Sequence, residues 1–503
     1  MNVACFLEEH IERLGEVPSL IFKEKEFTNI FIRKRANRLA NGLKNLGVKK
    51  GDIVVVSLKN SPDVIVAFQA IFRIGAIISP IMFTMSAEET EFIFSDSKAS
   101  AFITSKEFEE KIRIAGQVQE TRHIIVMGEN TAGDYISYED LINCHSEKID
   151  IEEMDEDDTA LLIYTAGTTG RPKGVMLSHG NLFHHVTATY KLWDRTRPRR
   201  TISCLPLAHM FGVTAMLVDQ LNEVPGSVLV LMEWFDPEEM FRLIEKYKIG
   251  GMGGVPTMYW ILLNHPSLGK YDLISWHRCA VGASPVPEEL QKRYKNELNI
   301  DMIEAYGLSE SCSAVACTRP EQVRKQGSAG TAIGKAVIKI FDEEDNELPP
   351  GKPGEIAVRG PIVMKGYHNR PEETAKALRG GWLHTGDIGY LDEDGYLFIT
   401  DRKKDMIIKG GENIFPSEIE NVLLKHPDIV EAAVIGIPDK IYGEEVVAFV
   451  VKKQEAEINE NEIISHCIKN YTKFKCPGKV RFIENLPKSP VGKILKKDLR
   501  KMW

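Results

Sequence analysis

Cysteine is scarce and unpatterned in this chain. Its 503 residues hold eight, at Cys5, Cys144, Cys204, Cys279, Cys312, Cys317, Cys467 and Cys476. No pair has the C-x-x-C spacing of a zinc or dithiol site, so reduced and mostly buried thiols are expected, as in a cytosolic protein. Long apolar runs are missing as well. The most apolar stretch, Val64 to Phe83, is interrupted by Gln69, Arg73 and Pro80, which argues against a spanning helix. The N-terminal "MNVACFLEEHIERLG" has Glu8, Glu9 and His10 where a signal peptide needs an apolar core. Positive charge is in deficit: 63 Lys plus Arg stand against 72 Asp plus Glu, a formal net of -9. An acidic chain is a poor general binder of nucleic acid. Several fingerprints are absent too: G-x-G-x-x-G, H-E-x-x-H, G-x-S-x-G and the Walker A loop. No Gly-Lys pair has the Walker spacing; at Gly492-Lys493 the residue five before the glycine is Pro487, and Ile494 follows.

What is present is an ordinary globular composition, 43% hydrophobic and 27% charged, in a chain too long for one simple domain. Short β-branched runs ("DIVVVSL", "AFITS", "HIIVM", "TALLIY", "SVLVL") alternate with amphipathic segments such as "FIRKRANRLANGLKNLG", whose Gly47 is a C-cap candidate. Strand and helix in alternation predict parallel sheets with crossover helices. The acidic run "IDIEEMDEDDT" predicts a solvated loop. Near residue 401 the texture changes: residues 401–503 carry 19 Lys plus Arg and 16 Asp plus Glu, a net of +3 against -12 for the rest. A slightly basic small domain beside an acidic large one suits a lid that closes on anions.

The most informative stretch is "YTAGTTGRPKGVMLSHGN", Tyr164 to Asn181. Its small residues let backbone N–H groups crowd around an anion, threonine hydroxyls add donors, and Arg171 and Lys173 add charge; a triphosphate is the natural guest. This loop resembles the signature of the adenylate-forming superfamily of acyl-CoA synthetases, amino-acid adenylation domains and luciferases. Further motifs follow in the family's order over nearly the whole chain: "LPLAHMFG" (205–212), "GASPV" (282–286), "EAYGLSE" (304–310), "GEIAVRGPIVMKGY" (354–367), "GWLHTGD" (381–387), "DRKKDMIIKGGENIFPSEIE" (401–420) and "LPKSPVGKILKKDL" (486–499).

The resemblance implies an α/β fold. A large N-terminal domain (1–400) of parallel and mixed sheets flanked by helices would include a β-barrel-like subdomain. A small α+β C-terminal lid (401–503) would turn about a hinge near 401–405, at Lys404. It implies ATP, Mg²⁺ and CoA as cofactor and cosubstrates, with a carboxylate attacking the ATP α-phosphate and a thiol then displacing AMP. Thr165, Ala166, Gly167, Thr168, Thr169, Gly170 and Lys173 would cradle phosphates, Ala166 standing where the family usually has serine. Ala283, Ser284, Glu304, Ala305, Tyr306, Gly307 and Ile399 would line the nucleotide, the Tyr306 ring stacking on adenine. Ser309, in place of the usual threonine, would reach a phosphate oxygen, and Glu310 would ligate Mg²⁺. Asp387 would take the ribose hydroxyls and Arg402 ribose or phosphate. Lys493 would reach the α-phosphate and carboxylate during adenylation, so that Lys493, Glu310, Arg402 and Thr165 form the catalytic set.

In the same way His209, Met210, Phe211, Val213, Gly253, Gly254 and Thr257 would line the acyl pocket, and Lys409, Gly410, Gly411, Glu412, Phe474, Lys475 and Lys479 would receive CoA. Gly212 follows Phe211 where amino-acid-activating members carry an aspartate, so no anion awaits an ammonium group. A medium- or long-chain fatty acid is the favoured acid. An aryl acid of the benzoate or 4-coumarate type, an enzyme loading a carrier protein, and a nucleotide binder without catalysis are the alternatives. The expected partners are these small molecules and no nucleic acid. A cytoplasmic monomer or homodimer is expected, with transient contact with a membrane surface.

Overall fold

The computed structural model describes residues 1–128, 135–165, 171–192, 195–284, 286–319, 321–454, 456–488 and 494–503, and every structural statement below concerns those residues. The β-branched runs become buried parallel strands. An eight-stranded sheet runs in the order Gly366–Tyr367, Lys173–Ser178, Thr159–Thr165, Ile77–Pro80, Ile53–Ser57, Ala101–Ser105, His123–Met127, Ile136–Ser137. Its centre is parallel, and the two strands beyond Thr159–Thr165 are antiparallel. A nine-stranded sheet has Asp301–Leu308, Arg278–Val281, Gly251–Gly254, Arg200–Ser203, Val228–Leu231 and Pro18–Phe22 parallel at its centre. Strands covered on both faces read as continuous apolar runs, which is why they were legible without alternation.

One core cluster joins both sheets through helix Pro62–Arg73, which is buried on nearly all sides. Gln69 and Arg73, which interrupt its apolar run, are both buried and both partnered: Gln69 donates to Gln220 at 2.8 Å, and Arg73 pairs with Glu8 at 2.5 Å. Helix Asn29–Asn45 carries the expected amphipathic segment, capped by Thr28; the chain leaves it at Gly47, whose φ of 86° is cheap only for glycine. The tail of the signature stretch has a structural use. Ser178 and Asn181 form a reciprocal capping box at the start of helix His179–Tyr190, and the Asn181 amide donates to the carbonyls of Pro361 and Val363 at 2.8 and 2.9 Å.

The barrel-like part is a four-stranded antiparallel sheet, Val337–Phe341, Gly354–Arg359, Leu383–Leu391 and Leu397–Arg402. The smaller C-terminal domain is a five-stranded sheet built on the long hairpin Ile429–Asp439/Gly443–Lys452, with helices Pro416–Leu423, Glu460–Asn470 and Lys496–Met502. It has its own apolar clusters. Six of the eight cysteines are buried and none forms a disulfide; burial pushes the thiols of Cys204, Cys317 and Cys467 up to about 12, which makes them poor nucleophiles. No helix is long and apolar enough to cross a membrane.

Candidate active site

Ligands of open parallel sheets collect at the carboxyl ends of the strands. Thr165, the loop before His209, Gly253 and the Glu304–Gly307 stretch all sit at such ends, in two sheets that share a core.

The nucleoside corner is the most fully described part. Strand Asp301–Leu308 carries Glu304, Ala305, Tyr306 and Gly307, then folds back through the turn Ser309–Ser311. The reversal is so tight that a Cβ on Gly307 would lie 1.7 Å from the Ser313 carbonyl oxygen, so glycine is obligatory there. Tyr306 points its hydroxyl at Asp387 and donates to Oδ2 at 2.8 Å; Arg402 Nε meets Oδ1 of the same carboxylate at 3.2 Å. Asp387 and Arg402 face each other across adjacent strands. Asp387 is 5% exposed while the Arg402 side chain is 40% exposed, so the carboxylate end of this pair is shielded and the guanidinium end is open to solvent. Ile399 lies on the same strand as Arg402. Ala283, at φ 70°, and Ser284 follow strand Arg278–Val281 after Gly282.

Glu304 accepts from Gln291 Nε2 at 3.1 Å, and burial of its carboxyl raises its pKa to about 7. The folded state therefore binds this proton more tightly than the unfolded chain does. The stabilisation is complete below the ordinary glutamate range and is lost as pH rises through 7. Glu304→Gln should then raise the melting temperature of the ligand-free protein at pH 8 by several degrees, on the order of 2–3 kcal/mol. Near pH 4.5 the gain should shrink to nothing. Equal melting curves for the two proteins at pH 8 would show that the carboxyl is not desolvated.

On the phosphate side, Ala166, Gly167, Thr168, Thr169, Gly170 and Lys493 lie outside the described residues. The flanks of that loop are described. Thr165 and Lys173 pair across the hairpin, the Lys173 ammonium lies 5.0 Å from the Tyr367 ring centroid, and Tyr367 donates from its hydroxyl to Glu310 Oε1 at 2.9 Å. Lys173, Tyr367 and Glu310 thus share one spot, with Ser309 next in the chain to Glu310. Among the described residues, no group of three or more His, Cys, Asp or Glu assembles for a metal. A Mg²⁺ here would be held by Glu310 with substrate phosphates, the usual sparing use of protein ligands by that ion. Tyr367 closes the "VMKGY" motif and was given no role from sequence; its place appears only in the fold.

On the expected acyl side, Gly212 is tightly packed, because a Cβ there would lie 2.2 Å from the Pro206 carbonyl oxygen. Strand Gly251–Gly254 also divides its glycines by the pleat. Gly253 faces the Phe211 ring, with a built Cβ 3.3 Å away, whereas Gly254 faces Tyr259 at 3.1 Å on the opposite side. Helix Met210–Asp219 buries Met210 and Val213 in the main core and leaves Phe211, Ala215 and Asp219, four apart, partly exposed. Of the expected acyl-binding residues, Phe211 and Gly253 therefore meet each other and are both partly exposed, while Met210, Val213 and Gly254 are packed in the core. His209 caps that helix, its Nδ1 accepting from the Phe211 N–H at 3.3 Å, and Thr257 is half-buried on helix Pro256–Leu263.

In the C-terminal domain Gly410 (φ 60°) and Gly411 (φ 85°) make a left-handed turn beside Tyr442 and Phe474. Lys409 is brought there but is not free to meet a ligand: it is buried, pairs with Glu445 at 2.6 Å and lies over the Phe474 ring at 5.1 Å. Tyr442, at 44% exposed, joins the group unannounced; a lone tyrosine in "DKIYGEE" carries no signal in sequence. Glu412 and Lys479 are exposed and Lys475 half-buried. Lys404 is exposed in the turn between Leu397–Arg402 and Ile407–Lys409, beside the contact from the Lys403 N–H to the Gly386 carbonyl at 2.9 Å.

Comparison with known proteins identifies the family and the fold. Residues 7–368 match the family model described as AMP-binding enzyme, and residues 418–493 that of the AMP-binding enzyme C-terminal domain. The chain is 34% identical to a long-chain-fatty-acid–CoA ligase of Bacillus subtilis (strain 168), over 99% of this chain and 94% of that protein. It is 35% identical to a feruloyl-CoA synthase of Amycolatopsis sp, over 94% and 93% of the two. Among solved structures it superposes on ATP-bound MatB from Rhodopseudomonas palustris with a TM-score of 0.92 and 30% identity, covering 100% of this chain and 99% of that one.

Proposed function

The chain belongs to the AMP-binding enzyme family and is an AMP-forming acid–thiol ligase with ATP and CoA as cosubstrates; from that premise we propose that its acid is a medium- or long-chain fatty acid. Its relatives bear names for fatty and for aromatic acids, so kinship does not choose between them. The supporting observation is the open stripe on helix Met210–Asp219. Phe211 meets Gly253, Ala215 one turn on is also partly exposed, and no charge intervenes before Asp219. Asp219 pairs with Arg199 at 3.3 Å, which gives the slot a polar end. Eight residues of helix rise about 12 Å, room for a chain rather than a single ring.

Adenylation brings two anions together, so its barrier is dominated by charge. In the proposed mechanism Lys173 and the loop from Thr165 to Gly170 hold the β- and γ-phosphates. Asp387 and Arg402 fix the ribose, and Tyr306 lies along the adenine. Lys493 neutralises the carboxylate and α-phosphate oxygens as the acyl-adenylate forms and pyrophosphate leaves. Mg²⁺ bound at Glu310 would add charge neutralisation on the phosphates. Residues 401–503 then turn about Lys404 against residues 1–400, withdrawing Lys493 and presenting the Gly410–Gly411 backbone, with Phe474 and Tyr442, to pantetheine. The thiol displaces AMP.

Each methylene buried along Phe211 and Ala215 is worth about 0.8 kcal/mol, roughly fourfold in kcat/KM, until the slot ends. Across saturated acids kcat/KM should climb with length and then level off, with acetate and benzoate weak. Gly253→Val should move that plateau to shorter chains, costing about tenfold on the longest acids and little on butyrate. A maximum at 4-coumarate or benzoate would overturn the fatty-acid assignment and leave the ligase reaction standing.

A further inference from the structure

The phosphate loop and Glu310 come from distant parts of the chain, and something must hold their supports in register. We propose that Asp96, at the end of helix Ala87–Ser97, is the positioning residue that ties the base of the phosphate loop to the strand that holds Glu310. Three contacts carry this. The Tyr164 hydroxyl, on the residue just before Thr165, donates to Asp96 Oδ2 at 2.8 Å. Arg370 Nη2 lies 3.5 Å from Oδ1 of the same carboxylate. The Asp96 carbonyl oxygen accepts from the side chains of His368 and Asn369, each at 3.2 Å. His368 to Arg370 follow directly on strand Gly366–Tyr367, and Tyr367 is the residue that bonds Glu310.

The neighbours make the grip directional. The Tyr164 ring lies over Gly174, its cross-strand partner, where a Cβ would stand 3.2 Å from ring atoms. Phe92, one turn before Asp96 on the same helix, meets the Tyr164 ring edge-on at 6.5 Å and carries the Arg171 guanidinium at 5.8 Å. One helix therefore touches both ends of the loop, at Tyr164 and Arg171, while its last turn holds the Glu310 side. The Asp96 side chain is 9% exposed, so the contacts are shielded from water and worth more than a surface pair. Asp96 touches no substrate in this account; it acts through Tyr164 and Tyr367.

This inference rests on the proposed site, in which the loop binds phosphate and Glu310 binds Mg²⁺. The test is steady-state and half-reaction kinetics on the full chain. Asp96→Ala should raise KM for ATP about tenfold and shift the Mg²⁺ titration upward, with KM for acid and CoA within twofold. Thioester formation from a preformed acyl-adenylate should be unchanged. Asp96→Asn, which keeps an acceptor for Tyr164, should recover most of the loss. Tyr164→Phe should raise KM for ATP several-fold, and the Tyr164→Phe/Asp96→Ala pair should be no worse than Asp96→Ala alone. If Asp96→Ala does not fold, Tyr164→Phe decides. A folded Asp96→Ala or Tyr164→Phe protein with KM for ATP within twofold of the parent overturns the proposal, as does an equal rise in every KM. Glu310→Gln separates the two levels: an unchanged Mg²⁺ titration in that variant removes the underlying site reading, whereas a shifted one beside silent Asp96 variants removes only the role of Asp96.

Discussion

Lys493→Ala should slow acyl-adenylate formation by about 10²–10³-fold while a preformed acyl-adenylate still reacts with CoA at nearly the parental rate. The size is that of removing one charge-stabilising donor from a transition state; the selectivity follows from the proposed two-state mechanism, in which the lysine would be present only for the first step. The surrounding lysines supply the contrast. Lys488 pairs with Glu431 at 2.5 Å and Lys496 with Glu420 at 2.8 Å, both within the C-terminal domain. The ammonium of Lys496 is enclosed, and the carboxylates of Glu420 and Asp401 hold its pKa up despite that burial. Lys496→Ala would strand the Glu420 carboxylate and is expected to lower the melting temperature without separating the half-reactions. Pyrophosphate release in the absence of CoA, beside single-turnover thioester formation from synthetic acyl-adenylate, measures each step alone. Equal losses in both would remove the role given to Lys493.

Lys493 itself lies outside the described residues. Its identification rested on "PVGKIL" and on nothing else, since composition made it one lysine among many. The same holds for Asp387 and Arg402: a T-G-D and a D-R-K are common turns, and only their motifs single them out. The fold then explains why they belong together, as they oppose each other across one antiparallel pair. The parallel strands were legible because burial on both faces leaves a run of β-branched residues with little alternative. Less legible was everything that depends on which side of a strand or helix a residue takes. Gly253 and Gly254 are adjacent and chemically identical, yet the pleat puts one against Phe211 and the other against Tyr259. Met210 and Val213 belong to the right segment, but helical phase turns them into the core. Tyr367, Tyr442 and Asp96 gain their places from contacts across 57, 33 and 68 residues of chain respectively, to Glu310, Lys409 and Tyr164. Pairings of that range leave no local pattern to read.

Asp387→Ala should differ from Lys493→Ala in a way that separates a fixed site from a mobile one. In the proposed mechanism the ribose stays bound through both half-reactions, and Asp387 lies on the four-stranded sheet that precedes the C-terminal domain, so its loss should be felt in both. Its carboxylate spends one lone pair on each of two neighbours, Tyr306 at 2.8 Å and Arg402 at 3.2 Å, and each oxygen has another to offer a ribose hydroxyl. Hydrogen bonds to a charged acceptor are worth about 1.5–3 kcal/mol each, so losing two should cost at least roughly two orders of magnitude in kcat/KM for ATP. The rate of thioester formation at limiting acyl-adenylate should fall by a similar factor. The substitution also leaves the Arg402 guanidinium and the buried Tyr306 hydroxyl without their shared acceptor, which should destabilise the ligand-free protein by about 1–3 kcal/mol, chiefly through Tyr306. Asp387→Asn distinguishes binding from stability. It keeps an acceptor for Tyr306 and loses the charge that Arg402 and the ribose use, so the fold should recover while KM for ATP stays high. Isothermal titration of AMP into both variants gives the ribose contribution directly. AMP affinity within twofold of the parent would place the ribose elsewhere and reduce Asp387 to a structural partner of Arg402.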